Sequence, residues 1–73
     1  MKKAFAMENL DCANCAAKME KNILKIDGVT AATVSFFAQK LVLEADDARW
    51  DEIVEAACAA VRRVDSDCRV IVK

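Results

Sequence analysis

The sequence predicts an α+β fold of element order βαββαβ, in which a four-stranded antiparallel sheet carries two helices on one face. Three observations lead there. Apolar residues alternate with period two near the start, in a central pair of runs and at the end of the chain. Two stretches with apolar residues at helical spacing separate those runs. The only glycine follows the first helical stretch, and proline is absent.

The elements follow in order. In "KKAFAMEN", Phe5 and Met7 alternate with smaller or polar residues, as in a short strand with one buried face. From Asn14 to Ile26, the residues Met19, Ile23 and Ile26 share one helical stripe, and Lys18, Glu20, Lys21, Asn22 and Lys25 take the other side. Gly28 comes next, where helix C-termini favour glycine. "VTAATVSFF" and "KLVLEA" then read as a hairpin joined by "AQ", with Val34 and Phe36 on one face and Leu41 and Leu43 on the other strand's matching face. Asp46 or Asp47 can cap a second helix whose stripe is Trp50, Ile53, Val54, Ala57, Val61 and Val64. Acids near its start and Arg62 and Arg63 near its end suit the helix dipole. "CRVIVK" closes as a strand.

Right-handed crossovers place the first and third strands in the middle of the sheet, the ferredoxin-like arrangement. The fourth strand then runs antiparallel beside the first. "VDSDC", ahead of the fourth strand, should therefore approach "LDCANC", which leaves the first.

Seventy-three residues make one domain, 1–73, with no space for a cleft between domains. Eleven basic and 12 acidic residues nearly cancel, so nothing in the charge balance calls for a nucleic-acid or anionic-membrane partner. The apolar runs fall far short of the roughly 20 residues that span a bilayer. "MKKAFAMENLD" meets acidic residues too early for a signal peptide. Four cysteines without such a signal point to a reducing compartment, where thiols bind metal or do redox chemistry. Histidine is absent, so any metal site uses thiolate, carboxylate, backbone or water, and a histidine-paired hydrolytic nucleophile is excluded within the chain.

The chemistry therefore centres on "NLDCANCAA". With a helix starting near Ala13 or Asn14, Cys12 lies in the loop and Cys15 in the first turn, and the two sulfurs can converge on one ion. The helix N-terminus should lower their pKa values, and a soft metal is the natural occupant. Other readings of a single C-x-x-C stand beside this one: half of a structural zinc site completed by Cys58 and Cys68, a redox dithiol, or small apolar packing. Cys58 sits at i+4 from Val54 and reads as core, and Cys68, at the start of the last strand, reads first as packing. Phe5, Met7, Met19, Phe36 and Trp50 are assigned to the core, and no residue is expected to be catalytic.

The βαββαβ order, the C-x-x-C after the first strand, "GV" after the first helix and "VSFFAQKLVLEA" as central hairpin resemble the heavy-metal-associated domain. That family includes small copper chaperones and the amino-terminal domains of metal-transporting P-type ATPases. Copper members usually carry methionine two residues before the first cysteine and Thr, His or Ser immediately before it; here those positions are Leu10 and Asp11. "DCANC" is more similar to the zinc-, cadmium- and lead-exporting ATPases, in which the aspartate is a third ligand. The resemblance thus implies Asp11, Cys12 and Cys15 as metal ligands and Zn(II), Cd(II) or Pb(II) as the ion; Cys68 has no standard role in the family, and a fourth ligand can come from water, an incoming partner, Cys68 or Asp67. Zn(II) and Cd(II) favour about four ligands and accept carboxylate oxygen, whereas Cu(I) is satisfied by two thiolates.

The bland role for Asp11 is a helix N-cap. Asn9 stands where the family usually has glycine, and asparagine tolerates left-handed backbone. The implied module is cytoplasmic and monomeric, exchanging metal with other domains of an ATPase or with a metallochaperone, without nucleic acid or membrane insertion. Lys18 and Lys21 on the first helix can steer an acidic partner or be a solvated face. The alternatives are a freestanding Cu(I) metallochaperone using Cys12 and Cys15 and, more distantly, a thiol-disulfide oxidoreductase.

Overall fold

A computed structural model describes residues 1–10 and 12–72. The elements are β1 (Lys2–Glu8), α1 (Ala13–Leu24), β2 (Val29–Ser35), β3 (Lys40–Ala45), a 3₁₀ turn (Asp47–Arg49), α2 (Trp50–Val64) and β4 (Arg69–Ile71). The strands form one sheet in the order β2-β3-β1-β4, antiparallel at every pairing, so β1 and β3 are central as expected.

Along β1, Phe5 and Met7 are buried while Lys2, Ala4, Ala6 and Glu8 are exposed. That period of two divides the sheet into a covered and an open face. Leu41, Leu43 and Ala45 of β3 and Ala32 of β2 join Phe5 and Met7 on the covered side. Ala16, Met19 and Ile23 of α1 and Ile53, Ala57 and Val61 of α2 complete a single core, so both helices lie on one face. The core is apolar throughout, and among the described residues no buried side-chain N or O lacks a hydrogen bond.

Gly28 fastens the two halves. Its φ of +97° is a left-handed value, and a Cβ built there would lie 2.8 Å from Ile53 Cδ1. Its carbonyl accepts from the Asp46 N–H at 3.1 Å, which draws the end of β3 against the start of β2. Only glycine meets both the backbone and the space requirement.

Several local expectations need correction. The hairpin link is the four-residue turn Phe36 to Gln39, and "AQ" is only its second half. Phe36 leaves the predicted strand face and is 38% exposed, because β2 already stops at Ser35, whose Oγ accepts the Ala38 N–H at 3.1 Å. Helix α1 ends at Leu24, and Ile26 is only partly buried in the following turn. Glu20 is not merely solvated, since its carboxylate accepts the Val34 N–H at 3.3 Å. Cys58 is half-buried: with Trp50 and Val54 it lines the margin of the α2 stripe, whose centre is Ile53, Ala57 and Val61. Trp50 is half-buried too and stacks on Phe5 with ring centroids 6.3 Å apart.

Candidate metal centre

Helix α1 begins at Ala13, and its N-cap is Cys12, with extended backbone at φ −134° and ψ 116°. The Cys12 sulfur accepts the Cys15 N–H at 3.3 Å, the bond that Ser or Asp oxygens usually make at this position. Spacing alone brings this about: three residues after an N-cap lies the N3 position, on the first turn. Both thiols are partly exposed, and both stand at the positive end of the helix dipole. The cap bond to Cys15 is thus made by the first thiol. Asp11 itself lies outside the described residues.

The electrostatics at Cys15 differ from the expected lowering of pKa. The thiol is held above its ordinary value, chiefly by its hydrogen bond with Cys12, then by desolvation and by the charges of Cys12 and Asp65; Lys18 pulls the other way. Two thiols this close resist ionising together, because the second thiolate would form beside the first. A bound cation removes that repulsion, so metal and protons compete for the site. Lys18, exposed on α1, is near enough to oppose the rise.

The segment before β4 comes to the loop after β1, as the topology requires. Asn9 has φ +63°, the left-handed backbone that the substitution for glycine anticipated, and its Nδ2 donates to the Asp67 carbonyl at 3.1 Å. Asp65 ends α2 and accepts the Asp67 N–H at 3.0 Å, forming a tight turn beside the thiols. Cys68 immediately precedes β4, is 0% exposed and belongs to the core; its N–H donates to the Asp65 carbonyl at 3.2 Å. Cys58 lies on α2, in the wall of a separate recess of about 1080 Å³ that includes Phe5, Trp50, Val54 and Val70 but neither Cys12 nor Cys15. Burial raises its pKa. Among the described residues, no three Cys, Asp, Glu or His side chains are grouped to hold an ion. The described donor set is therefore the pair Cys12 and Cys15, suited to a soft cation.

One residue near this centre was missed from the sequence. Gln39 closes the hairpin turn with φ +53°, and its side-chain amide bonds to the main chain of Leu10. The bond spans 29 residues, so no local pattern marks it.

Comparison with known proteins agrees with this geometry. Residues 4–63 match the model of the heavy-metal-associated domain. The chain belongs to that family. A probable cadmium-transporting ATPase of Listeria monocytogenes is 45% identical over 42 residues, 58% of this chain and 6% of that protein. A cadmium, zinc and cobalt-transporting ATPase of Bacillus subtilis is 29% identical over 65 residues, 89% of this chain and 9% of that protein. The chain thus spans less than a tenth of these relatives. Among solved structures, the N-terminal domain of a potential copper-translocating P-type ATPase from Bacillus subtilis, in its Cu(I)-loaded state, superposes with TM-score 0.77 at 28% identity. It covers 99% of this chain and 85% of that one. The CopZ metallochaperone has the same fold, with TM-score 0.77 at 24% identity over 97% of this chain and 100% of that one.

This heavy-metal-associated domain is a metal-binding module of the kind found in P-type ATPases. Among the described residues, no helix is long and apolar enough to cross a membrane.

Proposed function

We propose that the domain binds one soft divalent cation, Zn(II), Cd(II) or Pb(II), through Asp11, Cys12 and Cys15. It would deliver or sense that ion as the cytoplasmic N-terminal domain of a metal-exporting P-type ATPase. The observation that carries this reading is the start of α1, where the N-cap Cys12 bonds to the Cys15 N–H and sets two partly exposed thiols side by side; the aspartate before the first thiol would add a third, oxygen ligand. Carboxylate suits Zn(II) and Cd(II) and adds little for Cu(I). The relatives named for cadmium, zinc and cobalt transport support the same class. Cys68, buried in the core, is assigned to packing.

The chemistry is reversible ligand exchange. The cation displaces thiol protons as it binds. Because Cys12 and Cys15 are partly exposed, a thiolate or carboxylate of a partner can enter the coordination sphere before either leaves. Water or that partner supplies the fourth ligand, and Lys18 favours an acidic partner surface.

Anaerobic competitive titration of the reduced protein with Zn(II), Cd(II) and Cu(I) tests this, repeated on Asp11→Ala and Cys68→Ser. Divalent affinity should fall sharply in Asp11→Ala while Cu(I) affinity barely moves, and Cys68→Ser should leave affinity unchanged. Tight binding of Cu(I) alone, indifferent to Asp11, would favour the Cu(I) metallochaperone reading; the Cu(I)-loaded ATPase domain among the structural relatives supports the ion of that reading, not its freestanding form. Metal-free turnover of a disulfide substrate by Cys12 and Cys15 would favour the oxidoreductase.

A further inference from the structure

We propose that Gln39 is a positioning residue for the thiol loop, its side-chain amide standing in for a missing strand beside Leu10. The inference rests on the metal-binding reading above. The β1–β3 ladder closes at the pair Ala6 and Lys40, with the Met7 N–H donating to the Gln39 carbonyl at 2.8 Å. Beyond that bond the hairpin turns away, and among the described residues no strand pairs with Leu10 on that side.

The Gln39 side chain covers the gap. Its Oε1 accepts the Leu10 N–H at 3.2 Å, and its Nε2 donates to the Leu10 carbonyl and, at 2.8 Å, to the Phe36 carbonyl. One primary amide therefore meets both backbone groups of a single residue. This is the exchange of two bonds that a hydrogen-bonded antiparallel pair makes with main chain alone.

The backbone of Gln39 points the same way. A φ of +53° is uncommon for a residue with a long side chain, and glycine or asparagine would close this turn with less strain. A glutamine held there implies that its side chain serves a purpose outside the turn. That purpose lies two residues before the first thiol. With Leu10 gripped by Gln39 and Asn9 tied to Asp67, the loop is held from the turn before the third strand and from the segment before the fourth. The cation meets thiols that are already placed and need not order the loop itself.

Two variants of the 73-residue chain separate positioning from stability. Gln39→Met keeps length and backbone strain but removes the amide. Gln39→Gly removes the amide and relieves the left-handed strain. Cd(II) titration, thermal unfolding without metal and amide exchange at Leu10 are read for each. Loss of a partner that orients ligands typically weakens metal binding roughly 10- to 100-fold, and both variants should show that loss. Exchange at Leu10 should quicken while core amides such as that of Ile23 keep their protection. Gln39→Gly should unfold no earlier than Gln39→Met, so affinity and stability part company.

Folded variants that bind Cd(II) within about twofold of the parent would overturn the inference, and so would unchanged Leu10 exchange. If the parent itself bound no Cd(II), the metal reading would fall instead, and Leu10 exchange would still decide whether the clasp holds the loop.

Discussion

The two strand-to-helix junctions occupy corresponding places in the two halves of the fold but are finished differently. At the start of α1 the cap is a sulfur, Cys12 accepting from Cys15 N–H at 3.3 Å, and the first turn contains no acid. Ahead of α2 an oxygen caps the 3₁₀ turn and not, as expected, the helix itself: Asp46 accepts from Ala48 N–H at 3.2 Å, α2 follows Arg49 without a side-chain cap, and Asp51 and Glu52 fill its first turn. Arg49 then bridges Asp27 at 3.2 Å and Glu52 at 3.3 Å. The second junction is thus neutralised from within, and its role is to hold the halves together. The first junction is capped by a weak acceptor and carries no compensating carboxylate in its first turn, which leaves the positive end of the helix to be met by thiolate.

The sharpest way to break this contrast is Cys12→Ser. Serine is a better cap than cysteine, so the metal-free domain should hold its stability or gain up to about 1 kcal/mol, while binding of soft cations is lost. Unfolding curves and Cd(II) titration on one sample check both parts. If Cd(II) binding survived, the first junction would not be the metal centre.

Gly28→Ala attacks the fastening of the second half. The left-handed φ and the encroachment on Ile53 together should cost about 2 kcal/mol or more. Denaturant midpoints would record the loss, with Cd(II) affinity of the folded protein unchanged. Asp46→Ala removes only the oxygen cap and should cost about 1 kcal/mol, again without effect on metal. A fall in affinity in either variant would mean that the two junctions are coupled.

The smallest effect is at high pH. Burial holds the Cys58 thiol above its ordinary value of 9.0. The fold therefore favours the neutral form. Its contribution to stability is complete below the unfolded value and is lost as pH rises through the elevated one. Cys15, raised chiefly by its bond to Cys12, acts in the same direction. Apo stability should decline above about pH 9, and Cys58→Ala should blunt that decline. The opposite pH slope in the parent would contradict both assignments.

The alternation at Phe5 and Met7 and the stripe through Met19 and Ile23 revealed the element order, because each repeats within a few residues. The thiol pair was legible for the same reason, as C-x-x-C spacing is local. The direction of the Cys15 pKa was not, because the influence of Cys12 and Asp65 on it depends on three-dimensional approach. Phe36 was misplaced because apolar character continues past the end of the strand, and only the Ser35 turn stops it. Cys58 has the right helical spacing for the core but lies at the stripe's margin, a matter of some tens of degrees that a list of apolar positions does not resolve. Gln39 left no trace at all, since a polar side chain in a turn is unremarkable until its partner 29 residues away is known.

Leu10 is 2% exposed and lies two residues ahead of the first thiol. The ligand loop is therefore moored through hydrocarbon as well as through polar bonds. Hydrocarbon mooring is little affected by ionic strength, by chelators or by the pH of the surroundings, and it yields only with the core. At its Leu10 end the loop is thus a fixed perch and not a jaw. On the reading proposed above, the receiving protein and not the loop would then have to make the approach when metal is handed on.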